Sequence, residues 1–174
     1  MNANVLTPPT TEPAPAAAPA LAGKYLTFRL GGESYAIPVL HVREIIQPTT
    51  ITAVPQMPDA VRGVINLRGK IIPVMDLRRR FNLPAAEATD QTCFVVVQLT
   101  ANTRAPCLVG FIVDAVEEVL QIAAADIEPA PDFGSNVETG CILGMAKVKG
   151  SVKTLLDVAR VVGRSNCQGL GPTS

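Results

Sequence analysis

The chain has no tryptophan, a single histidine and only 4% aromatic residues, and each scarcity closes off a class of function. His41, the only histidine, stands beside no nucleophile motif, and a surface helix histidine is the plain reading. A zinc site would need more histidines or closely spaced cysteines, and Cys93, Cys107, Cys141 and Cys167 show no short paired spacing. Cys93 and Cys107 fall in or beside apolar strand patterns, where reduced, buried thiols are expected. No Gly-rich phosphate loop is present, since Gly31-Gly32 reads as a hairpin turn. The expectation is therefore no enzyme, no cofactor and no metal. Net charge is also missing: fifteen basic residues offset fifteen acidic ones, so nothing draws the chain to nucleic acid or an anionic membrane. No apolar run approaches the roughly 20 residues that span a bilayer. The start lacks the basic-then-apolar pattern of a secretory signal, which points to a cytoplasmic protein with reduced thiols.

What is present is aliphatic. Hydrophobic residues make up 48% of the 174, so the core must be built from Val, Ile and Leu, which suits strands. The length allows one domain or two closely joined subdomains. Residues 1–22, rich in Pro, Ala and Thr, read as a disordered leader, and 163–174 as a flexible tail. Between them, at 23–162, Lys24–Leu30 alternates as a strand and turns through Gly31–Ser34 into Tyr35–Ile37. Val39, Val42, Ile45 and Ile46 recur at helical spacing and predict a short helix with His41, Arg43 and Glu44 on its outer side. Val54–Asp59 is a rigid, proline-bearing connector, Leu77–Phe81 a short Arg-rich helix, and Asn82–Gln91 a polar linker. Thr92–Leu99 is apolar enough for a strand buried on both faces. A turn at Thr100–Ala105 leads to Cys107–Val113, and Val116, Val119, Leu120 and Ile122 continue the apolar pattern. Ala123–Glu138 reads as irregular and Asp157–Val162 as a last helix.

The chain also repeats itself. Gly63–Arg78 and Gly144–Ala159 align so that Gly63 matches Gly144, Arg68 matches Lys149, Gly69 matches Gly150 and Asp76 matches Asp157. Each copy reads as strand, tight basic-Gly turn, strand, then an acid placed to cap a short helix. Gly69 would supply the positive φ of its turn, and Gly63 close backbone packing. A second pair, Ile37–Gln47 and Phe111–Gln121, recurs in the same order. Two related β modules follow, as barrels or as a sandwich, which the pattern does not separate.

Ile37-Pro38-Val39, Val42-Arg43-Glu44-Ile45, Asn66-Leu67-Arg68-Gly69 and Pro73-Val74-Met75-Asp76-Leu77-Arg78, with the later Gly110–Asp114 and Leu155-Leu156-Asp157, resemble the CheW family of chemotaxis coupling proteins over about residues 24–162. The resemblance implies an all-β fold with short helices: two SH3-like five-stranded barrels sharing a core. Subdomain 1 is placed at about 37–91 and subdomain 2 at about 92–162, with the first strand pair, 24–37, free to cross between them. It implies a non-catalytic adaptor joining the cytoplasmic tip of a transmembrane chemoreceptor to the regulatory domain of the kinase CheA, and ring assembly in receptor arrays. A paralogue serving pilus or gliding motility fits the same resemblance. Arg68 matches the family's receptor-contacting arginine, Glu44 is expected to pair with it, and Val39, Val42, Val116 and Val119 to line an apolar slot for the receptor tip. Read without the resemblance, Arg68 is a solvated turn residue and the valines are ordinary core. Arg78-Arg79-Arg80 reads as a solvated face. The rival from another class is a small-barrel RNA-binding protein, which calls for a basic face with aromatic platforms; five Phe, two Tyr and balanced charge argue against it.

Overall fold

A computed structural model describes residues 21–99, 107–129 and 141–163. The leader up to residue 20, the turn expected at Thr100–Ala105, part of the irregular 123–138 stretch and the tail beyond Gly163 lie outside the described residues. The ordered body already includes Leu21, whose carbonyl accepts the Tyr25 hydroxyl at 2.5 Å.

Eleven strands and two short α-helices are present among these residues. In chain order they are β1 (Gly23–Leu30), β2 (Glu33–Pro38), β3 (Val42–Ile46), β4 (Val61–Leu67), β5 (Lys70–Asp76), α1 (Leu77–Arg80), β6 (Cys93–Leu99) and β7 (Cys107–Val113). Then come β8 (Ala115–Ile122), β9 (Ile127–Glu128), β10 (Ile142–Val148), β11 (Ser151–Leu156) and α2 (Val158–Val162). One sheet runs β3-β6-β7-β5-β4 and the other β8-β1-β2-β11-β10-β9. Read strand by strand, the two orders are the same: β3 answers to β8, β6 to β1, β7 to β2, β5 to β11 and β4 to β10. The parallel seams coincide as well, Val74 lying opposite Gly110 in one sheet and Leu155 opposite Ala36 in the other. The repeat read from the sequence is thus a repeat of register, with Val74 matching Leu155 and Gly110 matching Ala36.

The module boundary falls elsewhere than expected. β6 and β7, assigned to the second subdomain by their place after residue 92, pair with β3 and β5 in the first sheet. The hairpin β1–β2 is the one that crosses, completing the second sheet between β8 and β11. Long-range pairing overrides chain order here because β1–β2 and β6–β7 are equivalent hairpins, and each is taken by the module that lacks one.

Three apolar clusters follow from this arrangement. Ile65, Ile72, Val74, Phe94 and Val96 fill one barrel, and Tyr25, Leu120, Ile122, Ala146 and Leu155 the other. The largest cluster lies between them, with Phe28, Leu30, Val95, Val97, Phe111 and Leu156. β6 serves two of the three: Phe94 and Val96 point into the barrel and Val95 and Val97 into the shared core, which is why its sequence has no polar alternation. α2 closes the shared core with Val158, Val161 and Val162, all buried.

The helix expected at Val39–Ile46 is a 3-10 turn over Val39–His41 followed by strand β3. The helical spacing of these apolar residues has a definite cause. Val42 lies opposite Val97, Glu44 opposite Val96 and Ile45 opposite Val95, so Arg43 is a bulged residue. A bulge adds one residue to the period and puts Val42 and Ile45 on the same face, three apart, as a helix would. β8 does the same at Glu117, skipped between Val116 and Glu118. The caps are where the sequence put them: Asp76 accepts the Arg78 amide at 3.0 Å and Asp157 the Arg160 amide at 3.3 Å.

Two further expectations fail. Cys107 is disulfide-bonded, and Cys93, a free thiol, is only half-buried. Of Arg78-Arg79-Arg80 only Arg79 is exposed as expected; its two neighbours are partly buried and engaged. Arg78 donates to both Asp114 oxygens (2.9 and 2.5 Å) and to the Pro84 carbonyl, while Arg80 donates to the Val161 carbonyl at 2.8 Å. Asp114, at the bend where β7 passes into β8, also accepts the Gly31 amide at 2.8 Å. These bonds tie α1, the linker and the β1–β2 turn to the chain's crossing between sheets.

That joint carries a pH prediction. Hydrogen bonds from Arg78 foremost, then from the Gly31 amide, hold the Asp114 carboxyl below its ordinary value against the opposing effect of burial. A carboxyl depressed in the folded state stabilises above its unfolded value and loses that contribution as pH falls through the folded one. Asp114→Asn should therefore cost about 1–3 kcal/mol at pH 7, and the gap to the unmutated protein should narrow as the pH falls below about 4. Urea unfolding at pH 7 and pH 3 measures it; a gap that does not change with pH contradicts the assignment.

Candidate functional site

The site grows from the two-residue turn between β4 and β5. Arg68 and Gly69 both have positive φ, 52° and 88°, the type I′ combination that suits the twist of a hairpin. Asn66 Oδ1 accepts the Gly69 amide at 2.8 Å and closes the turn from its β4 side. The turn carries Arg68 out over the edge of the sheet, where its two terminal nitrogens donate to the two oxygens of Glu44 at 2.6 and 2.7 Å. β3 and β4 are the two ends of their sheet, so the pair spans the barrel's open seam. The Arg68 side chain remains 72% exposed, Glu44 only 24%. Hydrogen bonding from Arg68 lowers the Glu44 carboxyl from its ordinary value, and Glu44 raises the guanidinium in turn. The acid is held charged, and the cation faces solvent with donor capacity left over. Glu44 sits on a strand, where a helix was expected; the expected pairing is present.

The valines divide. Val39 and Val42 are half-buried against the shared core, as is Val116, while Val119 is 55% exposed. Val39 borders a cavity of about 370 Å³ with Tyr25, Leu40 and Leu143, and Val116 another of about 490 Å³ with Pro48 and Cys93. Gly63 and Gly69 hold backbone and turn as expected, and Asp76 and Asp157 are caps, away from the Arg68 pair.

The sequence reading missed three features of this surface. Leu40, 93% exposed on the 3-10 turn, is the most exposed large apolar side chain among the described residues. Its repeat counterpart is Asp114, which is engaged by Arg78, and that mismatch within an otherwise matched pair was the available signal. Ile45 and Ile71, 44% and 63% exposed, flank the elements that carry Glu44 and Arg68. The second module repeats the set: Lys149 meets Glu118 at 3.7 Å across its own seam, with Val119 and Val152 exposed at the matching positions. Among the described residues there is no cluster of three or more His, Cys, Asp or Glu side chains able to hold a metal, and no helix long and apolar enough to cross a membrane.

Twin small barrels joined through a common core, presenting ion pairs and exposed aliphatics at their seams, define a scaffolding module of the non-catalytic kind. The description "CheW-like domain" matches residues 24–166. The chain is 34% identical over 136 residues to the chemotaxis protein CheW of Rhizobium meliloti, covering 78% of this chain and 84% of that one. It is 34% identical over 139 residues to the chemotaxis protein CheW of Klebsiella aerogenes, covering 80% and 81%. The crystal structure of the scaffolding protein TtCheW from Thermoanaerobacter tengcongensis superposes with a TM-score of 0.72 at 30% identity, over 84% of this chain and 91% of that one. The chain belongs to the CheW family of chemotaxis scaffolding proteins.

Proposed function

We propose that this protein is a cytoplasmic coupling scaffold that holds the cytoplasmic tip of a transmembrane chemoreceptor and the regulatory domain of a CheA-type histidine kinase at the same time. The observation that carries the reading is the Arg68–Glu44 pair: a cation fixed by a charged acid, 72% exposed, at the edge of a barrel with aliphatic side chains beside it. Such a surface suits a partner presenting polar or acidic groups within an apolar helical face. Arg68 and Glu44 belong to the receptor contact, with Val39, Val42, Val116 and Val119 as its apolar part. Having two modules supports having two partners, since each barrel offers its own seam. Each interface is small and of about micromolar strength in this reading, and tight assembly then comes from many weak links within a ring. Signal passes when receptor state alters the free-energy difference between kinase-on and kinase-off arrangements, with no bond made or broken in the scaffold. A pull-down of the full chain from lysate of its own cells, read by mass spectrometry, should recover both a chemoreceptor and a CheA-type kinase. Recovery of neither, from lysate that contains both, contradicts the reading.

A further inference from the structure

The repeat supplies an internal comparison that singles out Asn66. Both barrels have the same turn, Arg68-Gly69 at φ 52° and 88° and Lys149-Gly150 at φ 53° and 79°. Both place a cation from the first turn position against the glutamate that follows a bulge, Glu44 in one module and Glu118 in the other. The geometry of the two pairs differs. Arg68 meets Glu44 with two bonds of 2.6 and 2.7 Å, whereas Lys149 stands 3.7 Å from Glu118. Part of the difference is the guanidinium fork itself. The other part lies one turn residue away: Asn66 accepts the Gly69 amide at 2.8 Å, while its counterpart Lys147 has no acceptor and is turned to Glu128 at 3.0 Å.

A non-glycine residue at positive φ is held there only by its surroundings, and Arg68 is such a residue. The duplicate turn reaches the same angles without such a bond, so what the Asn66 bond adds is restraint: it fixes the amide immediately after Arg68 and limits the excursions of the turn that carries the side chain. We propose that Asn66 is the positioning residue for the Arg68 guanidinium: it locks the turn so that both terminal nitrogens reach Glu44 and the remaining donors face the docking side. The consequence for docking rests on the receptor reading of Arg68; the positioning itself does not.

The test is NMR of the full chain, which reads the side chain directly. In the unmutated protein at low temperature, rotation of the Arg68 guanidinium should be slow enough to resolve its terminal nitrogens. Asn66→Ala should average those signals while the dispersed amide spectrum of the fold persists. Asn66→Ser, which keeps an oxygen acceptor without adding charge, should recover part of the slowing. Receptor binding by Asn66→Ala should weaken about fivefold, the effect of one net hydrogen bond. A folded Asn66→Ala protein whose Arg68 signals stay resolved overturns the inference. If that variant does not fold, hydrogen exchange in the unmutated protein decides: the Gly69 amide should exchange about fivefold slower than the Gly150 amide of the duplicate turn, and equal rates overturn the inference. Averaged Arg68 signals with unchanged receptor binding would uphold the positioning role and count against the receptor reading alone.

Discussion

Arg68→Glu is expected to abolish receptor engagement, lowering affinity by about a hundredfold or more, while the protein stays folded. The substitution sets two carboxylates against each other across the barrel seam and reverses the charge offered to the partner. The fold should survive, because the Arg68 side chain is 72% exposed and belongs to none of the three apolar clusters. The double exchange Glu44→Arg with Arg68→Glu separates two roles that the single change mixes. It restores opposite charges across the seam but leaves the exposed group acidic. If Arg68 only latches the barrel, the exchange rescues receptor co-sedimentation; if it docks the partner, the exchange rescues stability alone. A folded Arg68→Glu protein that co-sediments with receptor membranes as the unmutated protein does would remove Arg68 from the interface.

Gly63→Ala should destabilise the fold by about 3 kcal/mol, the largest effect expected of a Gly→Ala change among the described residues. Gly63 has φ +151°, and a Cβ there would stand 2.2 Å from the Thr52 carbonyl oxygen and 2.9 Å from Ile51 Cγ2. Neither neighbour can yield cheaply. Thr52 is bonded to Val64 in both directions, at 2.8 and 2.9 Å, which clamps the connector onto β4. The repeat places Gly144 under the same constraint, its Cβ position 2.8 Å from the Glu128 carbonyl oxygen. Gly69→Ala is the control. Nothing lies within 4 Å of its Cβ position, so only the positive φ of 88° opposes it, at about 1 kcal/mol. Urea denaturation gives both numbers, and a Gly63→Ala protein that unfolds at the same urea concentration as Gly69→Ala contradicts the close-approach account.

How much of this was legible beforehand depended on the range of the signal. Local chemistry was readable: the basic-Gly turns and the capping aspartates are written in residues within a few positions of one another, and the duplicated order in the direct comparison of one segment with another. The pairing of Glu44 with Arg68 was reached through the family resemblance and is present in the geometry. Features set by distant partners were not readable. The bulges at Arg43 and Glu117 imitate helical periodicity, and only the opposing strand reveals them. The crossing of the first strand pair was among the expectations, but the place of β6 and β7 in the first sheet depends on which distant strands they pair with. Arg78 and Arg80 look solvated until Asp114, thirty-six residues downstream of Arg78, and the Val161 carbonyl are brought beside them. Leu40 shows the converse, an apolar residue in an aliphatic chain that is almost fully exposed.

Simultaneous binding of receptor and kinase is the property that a bridging scaffold must have. Receptor fragments displayed on vesicles, a CheA-type kinase and this chain should be combined and sedimented, with the kinase recovered in the pellet as the readout. Kinase should pellet with the receptor vesicles only when the unmutated chain is present, and should stay in the supernatant when Arg68→Glu replaces it. Kinase recovery that is the same with and without the chain would contradict a bridging scaffold.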